Sequence, residues 1–297
     1  MSMKKSALLL TLAALLPGTA QAAPADVRAE LLRTINAERQ RAGAPPLRLL
    51  RPLIQVAQQH AEEIAISGRV QLPRGSERQV DEWMRRAGYN AHRWTESVVS
   101  SPADPGGIVR DWRQHDRSIW ATVLSPEMRD VGIGVARMNG LPLYAFLFAV
   151  PESEHFSQST RGLGDLNRVR AEMLAQVNAQ RRKAGAPPLA LNADLQEAAQ
   201  AHAQDMLARG FFAHKSPSGT TVRERSRKAG YDWRAIGENI AEGQTSVNEV
   251  MTTWMNSPGH RENILNPAFR ELGVGLVLGK GRDGEYRVIW VQNFGAK

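Results

Sequence analysis

Apolar residues in the second half of the chain recur at helical spacing and then give way to strand-like runs. Val169, Met173 and Val177 share one face of a helix that Asp165 caps and that Gly185 and Pro187-Pro188 end. Leu195, Ala199, His202 and Met206 form the stripe of a second helix, with Asp194 as its expected cap and Gly210 as its stop. His202 on that stripe, and its counterpart His60 in the first half, read as buried histidines bonded to loop backbone. A short helix is expected from Thr220 or Thr221 through Lys228. Another runs from about Ser246 to Asn256, with Val247, Val250, Met251 and Trp254 on one side. The runs 274–278 and 286–292 are β-branched and apolar, and the glycine-rich residues 279–284 between them predict a hairpin. Helices first and a hairpin last predict an α+β fold, an antiparallel sheet covered by helices.

The same pattern occurs twice. Residues 32–47 recur as 174–189, including Asn36-Ala37 as Asn178-Ala179 and Ala42-Gly43-Ala44-Pro45-Pro46-Leu47 as Ala184-Gly185-Ala186-Pro187-Pro188-Leu189. The offset of 142 residues also relates His60 to His202, Glu96 to Glu238 and Trp112 to Trp254. Gly132-Ile133-Gly134 recurs as Gly273-Val274-Gly275, one residue closer. A period this long marks duplication of a whole domain rather than a solenoid repeat. The chain therefore divides into residues 1–22, a domain over 23–150, a polar linker over 151–164 and a second domain over 165–297.

Residues 1–22 have the order of a secretory signal peptide: Lys4 and Lys5, an apolar run over 7–16, a Pro17-Gly18 break and Ala20-Gln21-Ala22 before the cut. The apolar run is too short to span a bilayer. A secreted or periplasmic mature protein is expected. The 297 residues include no cysteine, which excludes disulfides, thiolate nucleophiles and thiolate metal sites. The formal charge is +8, about +6 once Lys4 and Lys5 are removed, and the arginines are spread over helices as solvated faces. Attraction to anionic envelope polymers or lipid fits this charge; specific nucleic-acid binding does not, because no reading motif accompanies it.

The chemistry gathers in residues 211–263. His214 follows Phe211-Phe212-Ala213, Glu238 lies in Gly237-Glu238-Asn239-Ile240, and His260 lies in Ser257-Pro258-Gly259-His260-Arg261. Glu224 sits between them. Gly, Pro, Ser and Asn flank these pieces and mark turns, from which side chains can converge on one pocket. Two imidazoles and two carboxylates can hold a divalent cation, share protons, or simply order loops by hydrogen bonding. Ser216 and Ser218 read as turn residues, and Asn239 and Asn263 as loop ties. No His-Glu-x-x-His or Gly-x-Ser-x-Gly is present.

These motifs, with Trp254, Asn263-Ile264-Leu265 and Trp290-Val291-Gln292-Asn293-Phe294-Gly295, resemble the CAP superfamily of cysteine-rich secretory, antigen 5 and pathogenesis-related proteins, also called SCP-domain proteins. The resemblance is to its cysteine-free bacterial secreted branch. It implies two tandem α-β-α sandwich domains, each around a three-stranded sheet, and a cleft tetrad on His214, Glu224, Glu238 and His260. Zinc on His214, Glu238 and His260 is the cofactor this set suits. In the first copy His214 is matched by Leu72 and His260 by Ser118 or Ile119, while Glu82 and Glu96 match the glutamates. Site chemistry is thus expected in the second domain alone. The leading expectation is a non-catalytic cleft for a divalent cation or a small polar ligand, acting at the cell envelope. A metal-assisted hydrolase of an envelope polymer or peptide is the second reading. A scaffold binding anionic envelope surfaces or lipid is the third.

Overall fold

Each set of amphipathic helices packs on a sheet of its own. The computed structural model describes residues 24–68 and 76–297; the expected signal segment and Leu72 lie outside them. The chain divides into two units between His155 and Phe156. The first contains α1 (Pro24–Arg41), β1 (Arg48–Leu49), α2 (Arg51–Ser67), α3 (Ser76–Arg86), β2 (Ala91–Ser100), α4 (Pro105–His115), α5 (Arg117–Leu124), β3 (Asp130–Met138) and β4 (Leu141–Pro151). Helix α6 (Glu152–Ser159) and a 3-10 turn over Arg161–Leu163 occupy the stretch expected to be a linker. The second unit continues with α7 (Leu166–Lys183), β5 (Ala190–Leu191), α8 (Ala193–Arg209), α9 (Val222–Lys228), β6 (Ala235–Glu242), α10 (Val247–Met255), α11 (Pro258–Leu265), β7 (Glu271–Lys280) and β8 (Tyr286–Ala296).

The fold is mixed α+β, as the pattern predicts. Among the described residues the sheets run β1-β3-β4-β2 and β5-β7-β8-β6. Three long strands in each are antiparallel. The two-residue strands β1 and β5 add a parallel fourth member beyond the three-stranded sheet implied by the resemblance. In the second unit β8 alternates: Val288, Trp290 and Phe294 join a core with α7, α10 and α11, while Ile289 and Val291 pack with Ala199, Ala203 and Met206 of α8. Helices therefore cover both faces. Helix α8 lies directly on β7, where a Cβ at Gly273 would stand 2.1 Å from the Leu195 carbonyl carbon. Gly132 meets the Leu53 carbonyl of α2 the same way.

The α7 cap is as expected, with the Asp165 carboxylate accepting from Asn167 N and Arg168 N. The α8 cap is Asn192 rather than Asp194: Asn192 Oδ1 accepts from Leu195 N at 3.0 Å, and Asp194 lies in the first turn, where its charge suits the helix dipole. Two arginines are fully buried, contrary to their reading as solvated. Arg181 donates to the carbonyls of Pro187 (2.6 Å), Ile264 (2.8 Å), Asn266 (2.9 Å) and Phe269 (3.1 Å). Arg39 does the same in the first unit for Pro45, Val123, Ser125 and Met128. Each guanidinium thereby ties the first long helix of its unit to the chain entering the sheet.

Candidate functional site

Glu238 is the centre of the site, and it arrives on a strand rather than a turn. Among the described residues β6 pairs only with β8 and so forms a sheet edge, with Glu238 opposite Asn293. Alternation along β6 sends Glu238 and Ile240 to the α8 side and Asn239 to the α10–α11 side. Gly237 is required beside it, since a Cβ there would come within 2.9 Å of the Phe269 ring and 3.0 Å of Asn263 Oδ1. Asn239 donates to His260 O at 3.0 Å, and Asn263 donates to Glu238 O at 3.2 Å and to Asn239 Oδ1 at 2.9 Å. Both asparagines tie structure together, as expected, and they fix α11 along the strand.

The Glu238 side chain is only 2% exposed, and its charge is met from three elements. His214, on the loop after α8, bonds Oε1 through Nδ1 at 2.9 Å while its imidazole stays 59% exposed. Arg225 of α9 donates to Oε2 at 2.6 Å. Asn293, with its amide turned as its neighbours require, donates to Oε2 at 3.3 Å and accepts from Ala199 N at 3.2 Å. Arg225 also donates to the carbonyls of Thr220 (3.0 Å) and His214 (3.1 Å), clamping the loop that carries His214. His202 Nε2 meets Ala213 O at 3.0 Å, the loop-backbone bond expected of it, and lies 4.0 Å from Glu238 Oε1. Burial lowers the His202 pKa below its ordinary value, with Glu238 pulling the other way.

His260 approaches from the opposite layer. Its pKa is lowered by burial and then by the neighbouring charge of His214. Its Nδ1 is buried and has no hydrogen-bond partner among the described residues. Glu224 is not brought in. It closes a capping box on α9, accepting from Thr221 N at 2.9 Å and from the Thr221 hydroxyl, and it is exposed. Ser216 Oγ bonds Ser218 Oγ (2.9 Å) and Thr220 N (3.1 Å), so it serves the turn, and among the described residues no imidazole is hydrogen-bonded to it. Arg225 lies outside the expected set. It belongs to a run, Arg223 to Lys228, that is charged at nearly every position, and only the buried carboxylate behind α9 distinguishes it from its neighbours.

The residues as arranged do not fit a divalent cation. Both Glu238 oxygens are engaged, one by a guanidinium, Glu224 is turned to its own helix, and no three ligating side chains converge among the described residues.

The first unit shows the same scaffold with the site closed. Glu96 occupies the position of Glu238 but lies opposite Leu147 where Asn293 stands in the second unit. Trp83 replaces Arg225 at the 142-residue offset. The Glu96 carboxylate instead bonds His60 Nδ1, both groups being buried, and Trp83 lies 6.2 Å from the His60 ring. His60 therefore binds a carboxylate rather than the loop backbone expected of it, because the polar partners of that carboxylate are gone. Glu82, matched to Glu224, pairs with Arg86 at the surface.

The chain is similar in sequence to several known proteins. The curated relatives include an uncharacterized protein of Bacillus subtilis (strain 168), YkwD, 36% identical over 142 residues, which make up 48% of this chain and 52% of the relative. An uncharacterized membrane protein of the same organism, YlbC, is 31% identical over 105 residues, 35% of this chain and 30% of that one. The chain thus spans about half the length of the first relative and less of the second. Similar solved structures include an extracellular SCP-domain protein of Bacillus anthracis str. Ames, with a TM-score of 0.39, 23% identity and coverage of 56% of this chain and 60% of that one. An outer surface protein of Borrelia burgdorferi has a TM-score of 0.39, 25% identity and coverage of 45% and 96%. The Cysteine-rich secretory protein family, CAP, matches residues 32–148 and again 174–294. Two matches covering well over half of the chain, on two copies of one sandwich, establish that it belongs to the CAP family.

Proposed function

We propose that this is an exported CAP protein whose second unit carries a non-catalytic recognition site for a small polar ligand, while the first unit serves as a structural or surface-binding copy at the cell envelope. The observation that carries the reading is the state of the Glu238 cluster. The buried Glu238 carboxylate is already compensated by Arg225 and His214, and on α11, tied to the same strand through Asn239, the His260 Nδ1 is buried with no partner among the described residues. A buried polar atom without a partner is costly, and a ligand hydroxyl or amide can meet it. Nothing in the cluster is arranged as a nucleophile with its base, which supports binding over turnover. The signal-like segment 1–22 supports export.

In the cation reading His214 and Glu238 ligate a metal rather than bonding each other, so zinc is the discriminating probe. The full chain is titrated with zinc chloride and, separately, with a set of simple sugars and polyols, while the His214 and His260 imidazole resonances are followed by NMR. A saturable shift of both imidazoles by a polyhydroxy compound, lost in Glu238→Gln, together with weak zinc uptake, is expected. One equivalent of tightly bound zinc that depends on His214 and His260 overturns the polar-ligand reading in favour of the cation. Indifference to every compound leaves the cluster as a hydrogen-bonded tie and overturns both.

A further inference from the structure

Beside Arg225 lies a cavity of about 430 Å³. Its walls are α8, the loop 216–220 and α9, and neither Glu238, His214 nor His260 lines it. The volume falls in the range of small-molecule sites. Ala198, Ala201 and Ala229 leave the space between the helices open. The helices are close at one end, since a Cβ added at Gly230 would lie 3.9 Å from the Asp194 carboxyl.

The charges around this space form an unusual set. Asp205 and Arg209 satisfy each other at 3.4 Å. Glu197 on the α8 wall and Lys228 on the α9 wall do not: among the described residues neither has a hydrogen-bond or ion-pair partner, and the two do not pair with each other. The third free group is deeper. The Arg225 side chain is only 10% exposed, its terminal nitrogens are spent on Thr220, His214 and Glu238, and its Nε is buried with no partner. The cavity is thus lined by one unpaired carboxylate, one unpaired ammonium and two residues with a buried nitrogen that has no partner among the described residues, Arg225 at Nε and His202 at Nδ1. Ser218 and Thr220 hydroxyls complete the rim.

A simple anion in this space meets Glu197, and a simple cation meets Lys228 and Arg225, so each is opposed by one wall. A molecule bearing both charges is opposed by neither. We propose that this cavity binds a free zwitterion of the amino acid or short peptide class. Its ammonium lies on Glu197, and its carboxylate lies between Lys228 and Arg225 Nε, where a charge-assisted hydrogen bond satisfies the orphaned donor. The site is distinct from the Glu238 carboxylate and shares two residues with its surroundings, Arg225 and His202, the latter 4.0 Å from Glu238 Oε1.

The test is isothermal titration of the full chain with alanyl-alanine, N-acetyl-alanyl-alanine and alanyl-alaninamide, alongside NMR of the histidine imidazoles. Saturable binding of the free dipeptide is expected, weakened at least about tenfold by blocking either end. Glu197→Gln and Lys228→Met, both at the cavity rim, are each expected to weaken it by a similar factor with an unchanged melting temperature. Equal binding of free and blocked peptides, or no binding of the free dipeptide, overturns the proposal. So does a dipeptide that shifts the His214 and His260 resonances but is indifferent to Glu197→Gln, since it is then seated at the Glu238 cluster. Because the sugar and polyol titrations read the imidazoles and this one reads Glu197 and Lys228, either site can fail without the other.

Discussion

Replacing Arg181 by methionine removes four hydrogen bonds while keeping much of the aliphatic volume. The carbonyls of Ile264 and Phe269 that it holds are buried, and those of Pro187 and Asn266 are partly open to water. Water can replace the guanidinium at the latter two. Each buried carbonyl left without a donor costs about 1–3 kcal/mol, so the pair costs about 2–6 kcal/mol. Part of this is offset, because the guanidinium is itself held unfavourably: burial lowers its pKa, with the Arg270 charge adding to the effect. A net loss of about 3–4 kcal/mol is expected, close to 10 °C in melting temperature for a unit of this size. The assay is urea unfolding of the full chain followed by tryptophan fluorescence, since Trp254 and Trp290 lie wholly in the second core. Arg39→Met provides the matched perturbation in the first unit. Since Arg181 holds Ile264 and Asn266 at the end of α11, the variant should also broaden the His260 imidazole resonance. A loss below about 1 kcal/mol, with that resonance unchanged, would show that water satisfies these carbonyls and would refute the keystone role given to the buried arginine.

Glu238→Gln leaves the Arg225 charge buried without its counter-ion and should cost about 3–5 kcal/mol by chemical denaturation, whereas Glu238→Gln with Arg225→Met should recover much of it; additive losses would refute the coupling. The pH dependence has a definite sign. Burial holds the His202 pKa below its ordinary value of about 6.5, so between the two values the unfolded chain takes a proton that the folded unit refuses. Stability of the second unit should therefore fall as pH drops below about 6.5, by at most about 1.4 kcal/mol per pH unit for this proton. His202→Gln should flatten that slope in part, the depressed pKa of His260 supplying the remainder, and an unaltered slope would exclude His202 as a source.

Much of the fold is legible in the chain itself. Helical spacing places Val169, Met173 and Val177, and Leu195, Ala199 and Met206, on the faces that the structure buries, and Asp165, Thr221 and Ser246 begin helices where expected. The duplication is visible as an offset, and the lost imidazole positions of the first copy are visible as substitutions. Local periodicity carries this information because it records which side of an element meets apolar neighbours. It does not record which polar residue turns inward. Nothing near Arg225 separates it from Arg223 or Arg227, and Arg223 and Arg227 in fact lie over the Trp233 ring instead. Glu224 reads as a ligand until the free N–H groups at the start of its own helix claim it. Glu238 reads as a turn residue because Gly237 and Asn239 flank it, although both residues serve a sheet edge pressed by Phe269 and α11. In each case the outcome depends on an element distant in sequence. A buried carboxylate takes whichever donor the neighbouring helix delivers to it, so His60 bonds Glu96 in one unit while His214 and Arg225 bond Glu238 in the other. The chain alone determined two copies of one scaffold and the residues from which a site could be built; the tertiary structure decided how each buried charge is matched, because desolvation penalises any carboxylate or guanidinium left without a partner.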